Sequence, residues 1–151
     1  SLEPGEALFL PAGNIHAYLF GLGLEVMAAS DNVVRGGLTK KSVDVRELLK
    51  IVDYSETLEP RLQQKKISQG LSKFSADVTD FSVYRLEPSA SNLLIDLELK
   101  GRAIVVCVAG SITLSTSKDE TLTLSHGEVG FMFDARLFSV SGSGTGYLTM
   151  G

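Results

Sequence analysis

The sequence predicts a mainly β chain with one connecting α-helix, and three observations carry that prediction. Short apolar or alternating runs recur along most of the 151 residues, each bounded by glycine, proline or a polar cluster. Only one segment shows apolar residues at the helical spacing: Val45, Leu48, Leu49 and Val52 fall at i, i+3, i+4, i+7. The third observation is an internal echo. Gly127-Glu128-Val-Gly-Phe-Met-Phe133-Asp-Ala135-Arg-Leu-Phe138 lines up, at the same offsets, on Gly5-Glu6-Ala-Leu-Phe-Leu-Pro11-Ala-Gly13-Asn-Ile-His16.

Taken in order, residues 6–10 and 15–20 read as strands joined by a tight turn. Pro11 fixes one φ there and Gly13 frees another. Gly21-Leu-Gly23 is a turn, 24–29 a third strand, and Ser30-Asp31-Asn32 supplies turn chemistry after it. Arg35-Gly36-Gly37 reads as a loop where bare backbone approaches something else. The helix covers 45–53, with Asp44 as its cap and Glu47 three positions on. Residues 55–76 are polar and irregular, a crossover with room for one short edge strand.

From Phe81 onward every element reads as strand. One ends at Pro88; one alternates from Leu93 to Leu99; and the apolar run Ala103–Ala109 suits a central strand. Residues 112–116 and 122–124 flank a hairpin tip at Lys118-Asp-Glu120, and Ser141–Gly146 joins the last two strands. That glycine-rich run lacks the Gly-Lys-Ser/Thr ending and following helix of a phosphate loop.

Composition removes several functional classes. A 44% hydrophobic, 21% charged chain buries a core and is not disordered. A formal net charge of −4 gives no electrostatic footprint for nucleic acid. No apolar run reaches the roughly 20 residues of a membrane span. The single cysteine, Cys107, sits in a buried-type run as an inert packing residue; it forms no internal disulfide, so a reducing, cytoplasmic location is expected.

The most informative stretch is Gly5-Glu-Ala-Leu-Phe-Leu-Pro11-Ala-Gly13-Asn-Ile-His16-Ala-Tyr18. Its glycine, proline, glycine and histidine spacing resembles the second sequence motif of the cupin barrels, with Phe20 where the motif carries a later asparagine. Together with Glu25-Val-Met-Ala-Ala-Ser30, Arg35-Gly36-Gly37-Leu38-Thr39-Lys40-Lys41 and Val43–Tyr54, it closely resembles the type I mannose-6-phosphate isomerases over residues 3–54. The resemblance implies a cupin-like jelly-roll barrel and a zinc-dependent aldose–ketose isomerase of mannose 6-phosphate and fructose 6-phosphate. The echo, with Phe133, Ala135 and Phe138 in place of proline, glycine and histidine, fits the family's degenerate second barrel.

The resemblance also assigns roles. His16 matches a zinc ligand; a strand-end histidine with one backbone hydrogen bond is the plainer alternative. The family's other ligands, a Gln-x-His pair and a Glu near a Lys-Pro-Glu motif, have no counterpart here. Arg35 matches a catalytic arginine, whose guanidinium suits a developing oxyanion or a phosphate; a surface ion pair, with Asp31 for example, is the alternative. Glu25 matches an acidic position suited to acid–base work. Lys41 suits a sugar-phosphate contact, although a solvated lysine before a helix reads nearly as well, and Lys40 could share the role. Tyr18 lines the pocket or packs in a core.

The expected organisation is closing strands of a catalytic barrel over 1–42, helix and crossover over 43–66, and a degenerate cupin-like domain over 67–151. The start without methionine reads as the C-terminal portion of a larger enzyme, inactive and without tight zinc by itself. Unpaired strand edges in the first block suggest a homodimer. Two other classes stay open: a non-catalytic cupin module that binds a sugar or sugar phosphate, and another cupin enzyme such as an epimerase.

Overall fold

The computed structural model describes residues 1–30, 33–57, 59–89, 93–96, 101–117, 120–133 and 137–151. It divides into two compact units, Ser1–Leu62 and Gln63–Gly151. Among the described residues the elements are α1 (Val45–Ile51) and ten strands. These are β1 (Gln64–Ser68), β2 (Leu71–Phe74), β3 (Ser82–Leu86), β4 (Leu93–Asp96), β5 (Arg102–Ala109), β6 (Ser111–Thr116), β7 (Thr121–Ser125), β8 (Val129–Phe133), β9 (Leu137–Gly142) and β10 (Thr145–Met150). The mainly β class with one helix is as the sequence predicts.

The second unit consists of two antiparallel sheets, ordered β1-β2-β3-β10-β5-β8 and β4-β9-β6-β7. Strand β5 lies inside the larger sheet between β10 and β8, the central place expected for its apolar run. Its inward residues Ala103, Val105 and Cys107 are buried, while Ile104, opposite Phe131, remains 48% exposed on the outer face. Leu86 and Leu148 from the larger sheet meet Ile112, Leu114, Phe138 and Val140 from the smaller one in a single core. Each fully buried side chain of this size stabilises the fold by about 1.5–3 kcal/mol. Cys107 is among the most buried, with its S–H on the Ala109 carbonyl at 3.4 Å.

The polar stretch before Phe81 holds more regular structure than its composition suggests. β1 and β2 form a hairpin turning at Gly70 (φ 77), and β1 is the sheet's edge strand. All five β1 residues are exposed, so no alternating apolar signal was there to read. The lysines Lys65 and Lys66 suit such an edge. The alternation read through Leu99 is a strand only over Leu93–Asp96, with 97–100 outside the described residues, as are Lys118 and Asp119 of the hairpin tip.

In the first unit the three expected strands do not form. Residues 6–10 make one isolated bridge, Leu8 with Arg61, flanked by Phe9 N–H on the Pro60 carbonyl (2.8 Å) and Leu62 N–H on the Ala7 carbonyl (2.9 Å). Residues 15–20 and 24–29 enter no ladder among the described residues. A strand exists only where a neighbour accepts and donates its backbone hydrogen bonds. Without one, the apolar side chains meant for a sheet face lie open: Leu19 is 91% exposed, Phe20 103% and Leu22 94%.

Helix α1 starts as predicted. Asp44 is its cap, and its Oδ1 accepts the Glu47 N–H at 2.9 Å. The Glu47 carboxylate reaches forward to Lys50 (2.7 Å) instead of back to the cap. The helix ends two residues earlier than the periodicity implies, because Val52 takes an extended conformation.

Candidate active-site corner

The corner at residues 11–14 is a type II turn. Asn14 N–H donates to the Pro11 carbonyl at 3.2 Å, and Gly13 takes φ +83. The chain just after α1 braces it from behind: Asp53 N–H donates to the Gly13 carbonyl at 2.9 Å, and the Asn14 side-chain amide donates to Thr57 Oγ1 at 2.9 Å. Asp53 is itself held in a turn by accepting the Ser55 N–H, which keeps its carboxyl below the usual range.

His16 leaves this corner with its ring against the Asn14 carbonyl, Nδ1 to oxygen 3.2 Å. A carbonyl oxygen only accepts, so the contact is a hydrogen bond when Nδ1 carries the proton; in that neutral tautomer Nε2 keeps its lone pair. Tyr18 sits edge-on to the imidazole, with ring centroids 5.9 Å apart at 76°. The Glu25 carboxylate lies near enough to its hydroxyl to interact with it electrostatically. Partial burial pushes the Tyr18 phenol up, and Glu25 pushes the same way.

Of the five candidate residues, Tyr18 therefore has both His16 and Glu25 beside it. Arg35 comes near through its neighbour: a Cβ at Gly36 would lie 3.3 Å from the Ile15 side chain, so the 35–37 segment passes beside the corner. The close approach expected of the glycine pair is met at Gly36 alone; a Cβ at Gly37 would meet nothing within 4 Å. Arg35 itself is exposed. Lys41 is exposed too, with its backbone N–H on Thr39 Oγ1 (3.1 Å), and no described contact ties it to His16, Tyr18 or Glu25. Asp31, with the turn role read for it, lies outside the described residues.

Asn14 and Thr57 take part in this geometry without having been candidates. Asn14 stands inside the motif, two residues before the histidine. Thr57 lies in a polar stretch where no pattern marks it.

His16 suits a metal: a neutral imidazole whose second nitrogen is tied to a backbone carbonyl is the usual state of a ligating histidine. Zinc needs three or four protein ligands, however, and the described residues hold no cluster of three His, Cys, Asp or Glu side chains. His126 and Cys107 belong to the second unit. The described residues thus offer one donor and do not by themselves form a zinc site.

No family model matches the chain. Among curated proteins it is 39% identical over 138 residues to the mannose-6-phosphate isomerase of Rattus norvegicus, covering 87% of this chain and 33% of that one. It is 40% identical over 152 residues to that of Salmonella typhimurium, covering 97% and 37%. A crystal structure of a lysine-to-alanine mutant of phosphomannose isomerase from Salmonella typhimurium superposes with a TM-score of 0.70 at 29% identity, over 82% of this chain and 32% of that one. The antiparallel sheets and the histidine-bearing corner define a cupin-like β chain. More particularly, it is similar to the mannose-6-phosphate isomerases and spans about a third of their length.

Proposed function

We propose that this chain serves a zinc-dependent mannose-6-phosphate isomerase as its C-terminal portion, acting in the cytoplasm on mannose 6-phosphate and fructose 6-phosphate. The observation that carries the reading is the joined set His16, Tyr18 and Glu25 on one braced corner. Sequence similarity to isomerases over 87% of the chain supports it. So does a spacing: two of the similar solved structures are a Glu-to-Ala and an Arg-to-Ala mutant at positions ten apart, as Glu25 and Arg35 are.

Isomerisation moves a proton between adjacent carbons through an enediolate, so it needs a base, an acid and a cationic group for the developing oxyanion. Glu25 is the proton carrier, oriented by the Tyr18 hydroxyl. Arg35 stabilises the charge on oxygen, Lys41 holds the phosphate as a point charge, and Tyr18 also lines the sugar site. His16 would supply one ligand to a zinc ion, which would polarise the sugar carbonyl. The isolated 151-residue chain turns over no sugar phosphate and binds zinc weakly. The apolar side chains left open around Leu19, Phe20 and Leu22 favour self-association into a homodimer.

The test is a graft. This chain replaces the corresponding third of the Salmonella typhimurium relative, and mannose 6-phosphate turnover is followed by coupled assay. The expected result is zinc-dependent turnover that Arg35→Ala reduces by about 10²-fold or more. Sugar-phosphate binding with no turnover in the graft would instead favour the non-catalytic module.

A further inference from the structure

We infer that Thr57 is a positioning residue for His16, acting through Asn14. The chain of contacts is short and directional. Thr57 Oγ1 accepts the Asn14 side-chain amide at 2.9 Å, across 43 residues of sequence, and the Asn14 carbonyl accepts from His16 Nδ1 at 3.2 Å. Asn14 is thereby held at both ends of its residue, by Thr57 at the side chain and by the turn hydrogen bond to Pro11 at its own N–H. A carbonyl fixed in this way selects one tautomer of the imidazole, with the proton on Nδ1 and the lone pair on Nε2. The adjacent Asp53–Gly13 hydrogen bond brings the 53–57 segment to the corner, so the threonine arrives with the chain that follows α1.

Only the nitrogen with the free lone pair can bind a cation or take a proton. The tautomer therefore decides whether His16 is competent, and the functional meaning of the clamp rests on the isomerase reading above. The clamp itself does not. It is measured on the 151-residue chain without metal or substrate, so either conclusion can fail while the other stands.

The experiment is long-range proton–nitrogen correlation NMR on the ¹⁵N-labelled chain at about pH 8.5, above the ordinary imidazole pKa of about 6.5. The chain has two histidines, so His126, in the other unit, reports in the same spectrum that the rest of the fold is intact. In the wild type His16 is expected mainly as the Nδ1–H form. Thr57→Ala should shift the tautomer ratio toward Nε2–H by about two- to tenfold, the range one hydrogen bond of ordinary strength can move. Thr57→Ser, which keeps the hydroxyl, should hold the wild-type ratio, and Asn14→Ala should lose it as Thr57→Ala does. A wild-type His16 already in the Nε2–H form, or an unchanged ratio in Thr57→Ala, would overturn the inference. So would a Thr57→Ser that behaves like Thr57→Ala, since the methyl and not the hydroxyl would then be acting.

Discussion

Replacing Gly13 with alanine tests how the corner is held. Gly13 sits at φ +83, where a side chain clashes with its own backbone at a cost of about 1–2 kcal/mol. A Cβ built there would also lie 2.9 Å from the Ile51 carbonyl oxygen and 3.3 Å from Asp53 N and Cβ. These neighbours are mostly backbone at the end of α1, and they cannot swing aside as a side-chain tip could. Relief would come by moving the turn away from residue 53, which breaks the Asp53 N–H bond to the Gly13 carbonyl, worth about 0.5–1.5 kcal/mol. Together Gly13→Ala should loosen the corner by about 2–3 kcal/mol. Amide hydrogen exchange reads this directly: the Asp53 amide should exchange about 30-fold faster or more, since each 1.4 kcal/mol is a factor of ten. Amides of the second unit, such as Val105, should be unchanged. An Asp53 amide exchanging within about twofold of wild type would show that the turn is not seated on this segment and would refute the bracing argument.

Other outcomes are expected. Glu25→Gln removes the negative charge that helps raise the Tyr18 phenol, so its pKa should fall toward the ordinary value, read by NMR titration of the Tyr18 ring; no movement would deny the pair. The sign for stability follows. A raised phenol pKa favours the folded state below the unfolded value of about 10, and that contribution is lost as pH rises through the folded pKa. Phe138→Ala should destabilise the second unit by about 3–5 kcal/mol in urea unfolding followed by circular dichroism, because Phe138 is 1% exposed at the centre of the core; a loss below about 1 kcal/mol would misplace it. Asp44→Ala should cost α1 about 1 kcal/mol by loss of its cap, seen as faster exchange of the Glu47 amide.

Sequence and structure agree best where a residue's own chemistry is enough. Asp44 caps α1 because a carboxylate suits the orphan N–H groups of a first turn. The apolar run Ala103–Ala109 becomes strand β5, and the pleat buries only one of its two faces. The histidine corner is legible for the same reason, since Pro11 and Gly13 bend the chain locally. Agreement fails where a partner decides. Residues 15–20 have strand composition and no ladder, while β1, all exposed, is a strand because β2 pairs with it. The echo shows both sides: Gly5 and Gly127, at matching positions, have φ 91 and 83, yet the position of His16 in one copy is the core residue Phe138 in the other. Thr57 was invisible because its role is set 43 residues away.

The run Ser141–Gly146, expected as a loop, is mostly strand: only Ser143 and Gly144 join β9 to β10, with almost no room for atoms. A Cβ on Gly142 would come within 2.4 Å of the Ser111 carbonyl oxygen, and one on Gly144 within 2.5 Å of that of Ala109. What scans as a low-complexity spacer is therefore a place where main chains touch. In a saturation mutagenesis map this connection between the two sheets should tolerate as little as the hydrophobic interior, and a library designed to lengthen or decorate the protein should open the chain elsewhere.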